Sequence, residues 1–572
     1  MYDIISSADF SMCPDLQQKL LNVFLKNIPI LPINMRPSII DSSNVTIHSN
    51  ITSLYVRLID LNYHYQNEKS SISKNSYILR CFNLYKKILG IHNATDSVED
   101  TDKTFIKRIL SGKNGIFRSM CLAKRQNFCL RSVIVPNIDT PLDVVLIPKI
   151  FTDQLIPFGY KPNDYVIINR QPTLQTTSLL AIHSYPSNSR TIQINPLIAS
   201  VFQADFDGDE MNIFWLPGDQ AKKEMASKLN IANNIRSFKN ASLMIKFIQD
   251  TLTGIYNMTR DQNTVEPFMI EKICKKLGIS NKKWSSFKKY YKSKMNTTKV
   301  TYSHLISLLI PKTLTVYHSG NLLVDQGILV NIINNDNQVT LLNAIMNYGN
   351  RFYLKFMWDV QRMVHEYNLF HIITISISDC IGNTDIEDAV HEIHNNITTN
   401  MYEKPLCNID TQIINQSTET ETDQIGLKGS AFVGYFKLVE LVNSLDNNLT
   451  NIVKSGSKGN KDNIIQILMS IGIQTVLPSC YIKNCYSKGL SAKELFIHSK
   501  SGRVGIISTS LNTSSTGYLQ RELVKSMEDL LTDKDGIVWD YSKNKIYHYP
   551  FSTNTRDIDD TFLEYAFAMS NV

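Results

Sequence analysis

The chain has 572 residues, 43% hydrophobic and 19% charged, which is enough to bury several cores and implies roughly two to four domains. Its formal charge is +7, from 59 basic and 52 acidic residues, so most lysines and arginines belong to an ordinary solvated surface. No stretch of about 18 uncharged apolar residues is present, which argues against a membrane-spanning helix and for a soluble, intracellular protein; the opening MYDIISSADF also lacks the basic and apolar regions of a secretory signal.

In chain order, residues 1–100 show helical apolar patterns broken by Asn and Ser, and carry no recognisable chemistry. From Lys103 to Arg131 the charge is one-sided: Lys107, Arg108, Lys113, Arg118, Lys124 and Arg125 follow with no acid, a composition suited to phosphates. Short β-branched runs come next, at Ser132–Val135, Val144–Ile147, Tyr165–Ile168, Thr191–Ile194 and Met211–Trp215. Turn residues punctuate them, which predicts a compact barrel or sandwich. Helical patterns dominate 219–480, including Gln220–Leu229 and Asn343–Tyr367, with a polar loop expected over Asn408–Asp423. A long helix is expected over about 503–532, and Ser491 with Glu494 forms a capping box that predicts a short helix before it. The nine cysteines form no CxxC pair, Cys480 and Cys485 being the nearest spacing; buried free thiols in a reducing compartment are expected, and no zinc site.

The sharpest feature is Asp205-Phe206-Asp207-Gly208-Asp209. Aspartates at i, i+2 and i+4 either share a strand face or converge around a tight loop, and Gly208 permits the bend. Two carboxylates about 4 Å apart repel by about 4 kcal/mol at an effective dielectric near 20. A hard divalent cation removes that repulsion, and magnesium takes oxygen ligands while leaving room for phosphates. An EF-hand loop would need glycine at its sixth position and glutamate at its twelfth; counted from Asp205 these are Glu210 and Leu216. A merely solvated acidic turn is opposed by the apolar neighbours Val201, Phe202, Phe206, Ile213, Phe214 and Trp215, which put the acids at the rim of a core.

The Asp205–Asp209 segment resembles the catalytic loop of the largest (β′-type) subunit of multisubunit DNA-dependent RNA polymerases. Other segments follow in that family's order. Ser111–Gly115 through Arg118, Ala123-Lys124-Arg125, Phe128 and Arg131–Ile134 resembles the switch segment before the catalytic double-psi β-barrel. Asn169–Leu174 is similar to the nucleotide-contacting strand and turn, Gln249–Gly254 to the segment after the barrel, Ser455–Asn460 to the funnel, and Gly505–Asp529 to the bridge helix. The resemblance implies an α+β fold: residues 1–110 a reduced clamp or helical region, 111–218 switch and barrel, 219–480 a mainly helical pore and funnel, 481–532 the bridge-helix region and 533–572 a tail.

It also implies roles. Asp205, Asp207 and Asp209 would hold one Mg2+ throughout and share a second that arrives with the nucleoside triphosphate. Arg170 would read the ribose hydroxyls, although an Arg paired structurally with one of the aspartates is the competing reading; Pro172 would fix the turn beside the nucleotide. Gln203 stands where the family has Asn, so ribose discrimination is set differently here. Lys113, Arg118, Lys124 and Arg125 would touch the template or hybrid backbone, which positions a strand without reading sequence. Thr513 and Ser514 would lie under the templating base and Tyr518 beside downstream template, while Asn512 and Glu522 depart from the family's Lys and Arg. Small, poor helix formers at Ser508–Ser510 and Thr513–Gly517 suit close approach of a base and local bending.

No segment resembling the clamp zinc sites or the trigger loop is found. A split or shortened subunit is therefore expected, similar to those of baculoviruses (late expression factor nine), large DNA viruses or giant phages, with the trigger loop on another chain if split. The expected partners are a β-type second-largest subunit, DNA template, RNA transcript and nucleoside triphosphates, with no membrane. A silencing-type RNA-dependent RNA polymerase fragment and a non-catalytic structural subunit are the rival readings.

Overall fold

The computed structural model describes residues 28–89, 106–237, 239–382, 384–399, 435–474, 480–533, 537–542 and 545–548. The chain divides between Phe128 and Cys129. In the first unit, α1 (Asn50–Asn67) is capped by the Ser49 hydroxyl, which accepts from the Thr52 N–H, satisfying one of the orphan donors at a helix start. Its Ile51, Leu54 and Tyr55 share one face and pack with Ile88 of α2 (Ser71–Leu89), flanked by Leu31, Leu58, Leu84, Ile106 and Ile109. The basic stretch continues as short helical pieces, Ile106–Leu110 and Phe117–Leu122, the second wound with wide π turns.

The second unit opens with six strands: β1 (Cys129–Pro136), β2 (Val144–Pro148), β3 (Tyr165–Asn169), β4 (Leu179–Ser187), β5 (Ile192–Ile194) and β6 (Glu210–Phe214). They close into a barrel in the order β1-β5-β2-β4-β3-β6. The pairing is mixed: β1 with β5 and β2 with β4 are parallel, whereas the pairs closing through β3 and β6 are antiparallel. Alternation puts Val145 and Ile147, Val166 and Ile168, Ile192 and Ile194, and Met211 and Ile213 inward, each fully buried. β4 has no counterpart among the runs picked out by β-branching, yet it is the most heavily paired strand, joined to β2 and β3 along their lengths.

Helices dominate the chain beyond the barrel: α3 (Gln249–Arg260), α4 (Pro267–Leu277), α5 (Asn281–Met295), α6 (Asn335–Met346) and α7 (Asn350–Asn368), with a small antiparallel sheet over Val316–Leu329. The helical run expected over Asn343–Tyr367 is in fact two helices. Gly349, at φ 110, breaks it, a conformation that a side chain resists. α7 carries the barrel: Trp358 Nε1 donates to the Ile138 carbonyl at 3.0 Å, and buried Asn195 Nδ2 donates to Gln361 Oε1 at 2.8 Å. A separate core gathers Val390, Ile393, Leu438 and Val442 with α8 (Asn448–Ser455) and α9 (Lys461–Leu468). The Asn408–Asp423 segment lies outside the described residues.

The last long element, α10 (Ala492–Met527), runs for 36 residues without one buried side chain. Ser491 and Glu494 do form a capping box, but it does not begin a short separate helix; it begins α10 itself, because no proline stands between Glu494 and Gly505 and the helix continues through both Gly502 and Gly505. A three-stranded sheet of Leu530–Thr532, Val538–Asp540 and Lys545–His548 closes the described chain. Cys81, Cys121, Cys129, Cys274, Cys380 and Cys485 are thiols outside any disulfide; of these six only Cys485 is buried and Cys121 is exposed, so burial of the thiols is not general. No described helix is long and apolar enough to cross a membrane.

Candidate metal centre

Two neighbouring strands build the site. β3 and β6 run antiparallel with Asn169 opposite Asn212, so the exit of one meets the entry of the other. Asn169 is buried, and its amide donates to Thr173 Oγ1 at 2.8 Å and to the Ser178 carbonyl at 2.9 Å. These bonds tie down the turn that carries Arg170 and the cis-linked Gln171–Pro172. On the other side, buried Val201 and Phe202 anchor a short 3-10 turn that ends at Gln203 in the left-handed region, φ 52. The Ala204 N–H donates to the Ala199 carbonyl, and the chain turns through Asp205–Asp209 with Gly208 at φ 124. A Cβ at Gly208 would touch nothing within 4 Å; its backbone angle, not crowding, demands glycine. The Ile134 N–H then donates to the Asp209 carbonyl at 3.0 Å, stitching the loop to β1.

Asp205, Asp207 and Asp209 each offer a carboxylate oxygen, and the three lie within 4.8 Å of one another. They converge around a loop rather than along a strand face. Asp205 and Asp207 are exposed, and Asp209 is half-buried. Arg170 Nε donates to Asp209 Oδ2 at 2.8 Å, with both side chains about one-fifth exposed, and the Asp205 N–H donates to the same oxygen at 3.2 Å. The electrostatics divide accordingly. Arg170 and the Asp205 N–H hold the Asp209 carboxyl below the usual carboxylate range, against the opposing pull of burial. Asp205 is pushed the other way, first by its hydrogen bond with Asp207, then by partial desolvation and the charges of Asp207 and Asp209. Raised carboxyls of this kind mark crowded negative charge with too little compensation. An all-oxygen donor set open to solvent on one side fits a hard cation, and lacks the nitrogen and sulfur donors that softer metals prefer. Among the described residues it is the one group of three or more His, Cys, Asp or Glu side chains that could hold a metal.

The structure thus brings Arg170 and the three aspartates together. Pro172 and Gln203 are exposed on the adjoining turns. Lys113, Lys124 and Arg125 are exposed in the first unit, and Arg118 is half-buried. Thr513, Ser514 and Tyr518 are exposed along α10 and make no hydrogen bond to the aspartate loop among the described residues. The Thr513 hydroxyl instead donates to the Thr509 carbonyl of its own helix, at 2.7 Å. Glu522, one turn beyond Tyr518, accepts from its phenol and raises it. Two supports were not foreseen: the Asn169 amide, and Arg131, whose Nε meets Glu210 Oε2 at 2.7 Å beside the loop. The first had a local signal, an Asn at a strand end followed by a turn; the second pairs residues 79 apart in sequence.

Four family models match in succession: RNA polymerase Rpb1 domain 2 over residues 158–231, domain 3 over 234–380, domain 4 over 388–499 and domain 5 over 489–553. The chain belongs to the Rpb1-type largest-subunit family of RNA polymerases. The aspartate loop falls in the domain 2 match and the whole of α10 in the domain 5 match. DNA-directed RNA polymerase subunit 1 of Acanthamoeba polyphaga mimivirus is 24% identical over 94% of this chain and 43% of its own length. The archaeal subunits Rpo1N of Halobacterium salinarum and Thermococcus celer are each 22% identical, over 91% and 90% of this chain and 64% and 71% of their own lengths. This Rpb1-type chain therefore spans roughly half to two-thirds of the length of the curated relatives it matches. Those relatives are named as DNA-directed polymerase subunits, which does not favour the silencing-type reading.

Proposed function

We propose that this chain supplies the metal-binding half of the active centre of a DNA-dependent RNA polymerase, which adds ribonucleotides to an RNA 3′ end on a DNA template. One observation carries the proposal: three carboxylates within 4.8 Å of one another at the rim of a closed barrel. Asp205, Asp207 and Asp209 would hold one Mg2+ throughout and share a second that comes with the nucleotide. When bound, such a pair would stabilise the charge on the attacking 3′ oxygen and the leaving pyrophosphate oxygen.

The remaining work falls to the protein's own groups. The β1–β6 and β3–β6 pairings fix the loop, so the carboxylates need little reorganisation on binding a cation. Arg170, resting on Asp209, is poised to donate to ribose hydroxyls of a nucleotide brought to the triad. Pro172 and Gln203 border the same space, one by fixing the backbone of its turn, the other by offering an amide. The mixed parallel and antiparallel barrel supports assignment as the double-psi fold, and the exposed, hydroxyl-rich α10 supports assignment as the bridge helix, with Thr513, Ser514 and Tyr518 toward the template. Lys113, Arg118, Lys124 and Arg125 suit contacts to strand phosphates. The bare surface of α10 supports a β-type partner, which would bring basic residues to the triphosphate; if the subunit is split, a separate chain would supply a trigger loop. No activity is expected from this chain alone.

The test is nucleotide addition on a primed DNA template by the complex co-purified with this chain, compared with the same complex carrying Asp207→Ala. Loss of addition with intact assembly is the expected result. Equal activity in the two complexes removes the catalytic assignment.

A further inference from the structure

Between Lys272 and Lys299 the sequence holds ten lysines and no acidic residue, a density unlike the near-balance of the chain as a whole. Six of them, Lys282, Lys283, Lys288, Lys289, Lys292 and Lys294, lie on α5. That helix buries Phe287 and Tyr291 and turns the six lysines outward, all exposed. None of the six makes an ion pair among the described residues, whereas Lys222, Lys276 and Lys488 elsewhere in this unit each meet a carboxylate. The arrangement works against the helix itself. Lys282 and Lys283 sit in the first turn, at the positive end of the helix dipole, with no acid there. Lys288 and Lys292 are one turn apart and repel. A helix face that is only solvated mixes Glu with Lys and avoids both penalties; an unrelieved cationic face is stabilised when a polyanion lies on it.

We infer that α5 is a docking surface for the phosphate backbone of double-stranded DNA, separate from the aspartate loop. Three features select this occupant. A protein partner needs apolar anchors, and the one large exposed apolar side chain on α5 is Met295 at its last position. A single strand needs free aromatic platforms for its bases, but the rings here are engaged. Trp284 is half-buried and packs on Phe287 at 5.8 Å, and Tyr290 donates to the Gln326 carbonyl at 2.6 Å with Lys312 over its ring at 4.5 Å. A duplex asks only for charge along a line, since it carries about one negative charge per 1.7 Å of its axis and α5 is about 22 Å long. A groove of about 450 Å³, lined by Asn281, Lys282, Ser285, Ser286 and Lys289, adds two hydroxyls that donate to phosphate oxygens as readily as lysines do. Lysines, as point charges, supply affinity without base readout.

The test uses the full chain and a fluorescein-labelled duplex of about 30 base pairs, with fluorescence anisotropy measured across about 50–300 mM salt. The variant changes Lys282, Lys283, Lys289 and Lys292 to Gln, with circular dichroism to verify that it folds. The expected result is binding weakened at least about tenfold near 100 mM salt, with the slope of log K against log salt shallower by about 3 to 4. Replacing the same four residues with Arg restores both. Unchanged slope and affinity overturn the inference. So does a loss as large for the single strand as for the duplex, or one seen only with poly-glutamate. Asp207→Ala leaves the duplex affinity unchanged, so failure here and failure of the polymerase reading are separately visible.

Discussion

The barrel and α10 are opposite solutions to holding functional groups in place. In the barrel every second residue of Val166–Ile168 and Met211–Ile213 is buried completely; the aspartate loop inherits its shape from that core through the Ile134–Asp209 hydrogen bond, and the Arg170 turn through Asn169–Ser178. α10 buries nothing over its 36 residues. Leu495, Phe496, Ile506, Leu511, Tyr518 and Leu523 are all more than half exposed, and several hydroxyls bond back to their own helix. One region is determined by long-range packing, the other by a cap and local propensity. An isolated exposed helix with this many Ser, Thr and Gly residues is marginal in water, so its stability belongs to whatever packs against it.

Substitutions test that contrast, and the largest effect is expected in the loop. Asp205→Asn should lower nucleotide addition by the complex on the order of 10²–10³-fold, while the melting temperature of the isolated chain stays the same. A large loss of stability would mean that the loop supports the barrel and not the reverse. Next, Ile213→Ala should cost about 2–5 kcal/mol, read as earlier proteolysis of the barrel, and should weaken metal binding although the residue touches no ligand. Ser491→Ala should cost about 1 kcal/mol, visible as faster amide exchange confined to the first turns of α10. Smallest of all, Leu511→Ala in the isolated chain should change unfolding by no more than about 0.5 kcal/mol. If it cost as much as Ile213→Ala, α10 would be a packed element and the contrast would fail.

Legibility in the sequence divides along the same line. The aspartate loop could be read because its logic is local: three like charges within five residues require a counter-charge wherever they sit. Strands β1, β2, β3, β5 and β6 announce themselves by β-branching. β4 does not, because Leu179–Ser187 carries His183, Tyr185 and Pro186 and enters from a capped 3-10 turn; its neighbours, not its composition, make it a strand. That Arg170 pairs with one of the aspartates is a reading the sequence holds open; that the partner is Asp209, 39 residues away, depends on β3 and β6 being antiparallel neighbours, which no local pattern records. The capping box at Ser491 was legible, but the length of the helix it starts was not, because Gly502 and Gly505 look like breakers on propensity alone. The basic run after Lys103 stands out by its position before the barrel. The denser one on α5 does not, because it lies inside a helix whose apolar face already explains its existence.

Asp209 shows a division of labour within a single carboxylate. Oδ2 is engaged twice by the protein itself, through the Arg170 guanidinium and the Asp205 backbone. A carboxylate clamped by one oxygen can no longer swivel, so an ion bound here would meet its other oxygen at an angle decided before it arrives. Selectivity among cations of different radius then becomes a matter of how far this one rigid arm and its two looser companions can spread.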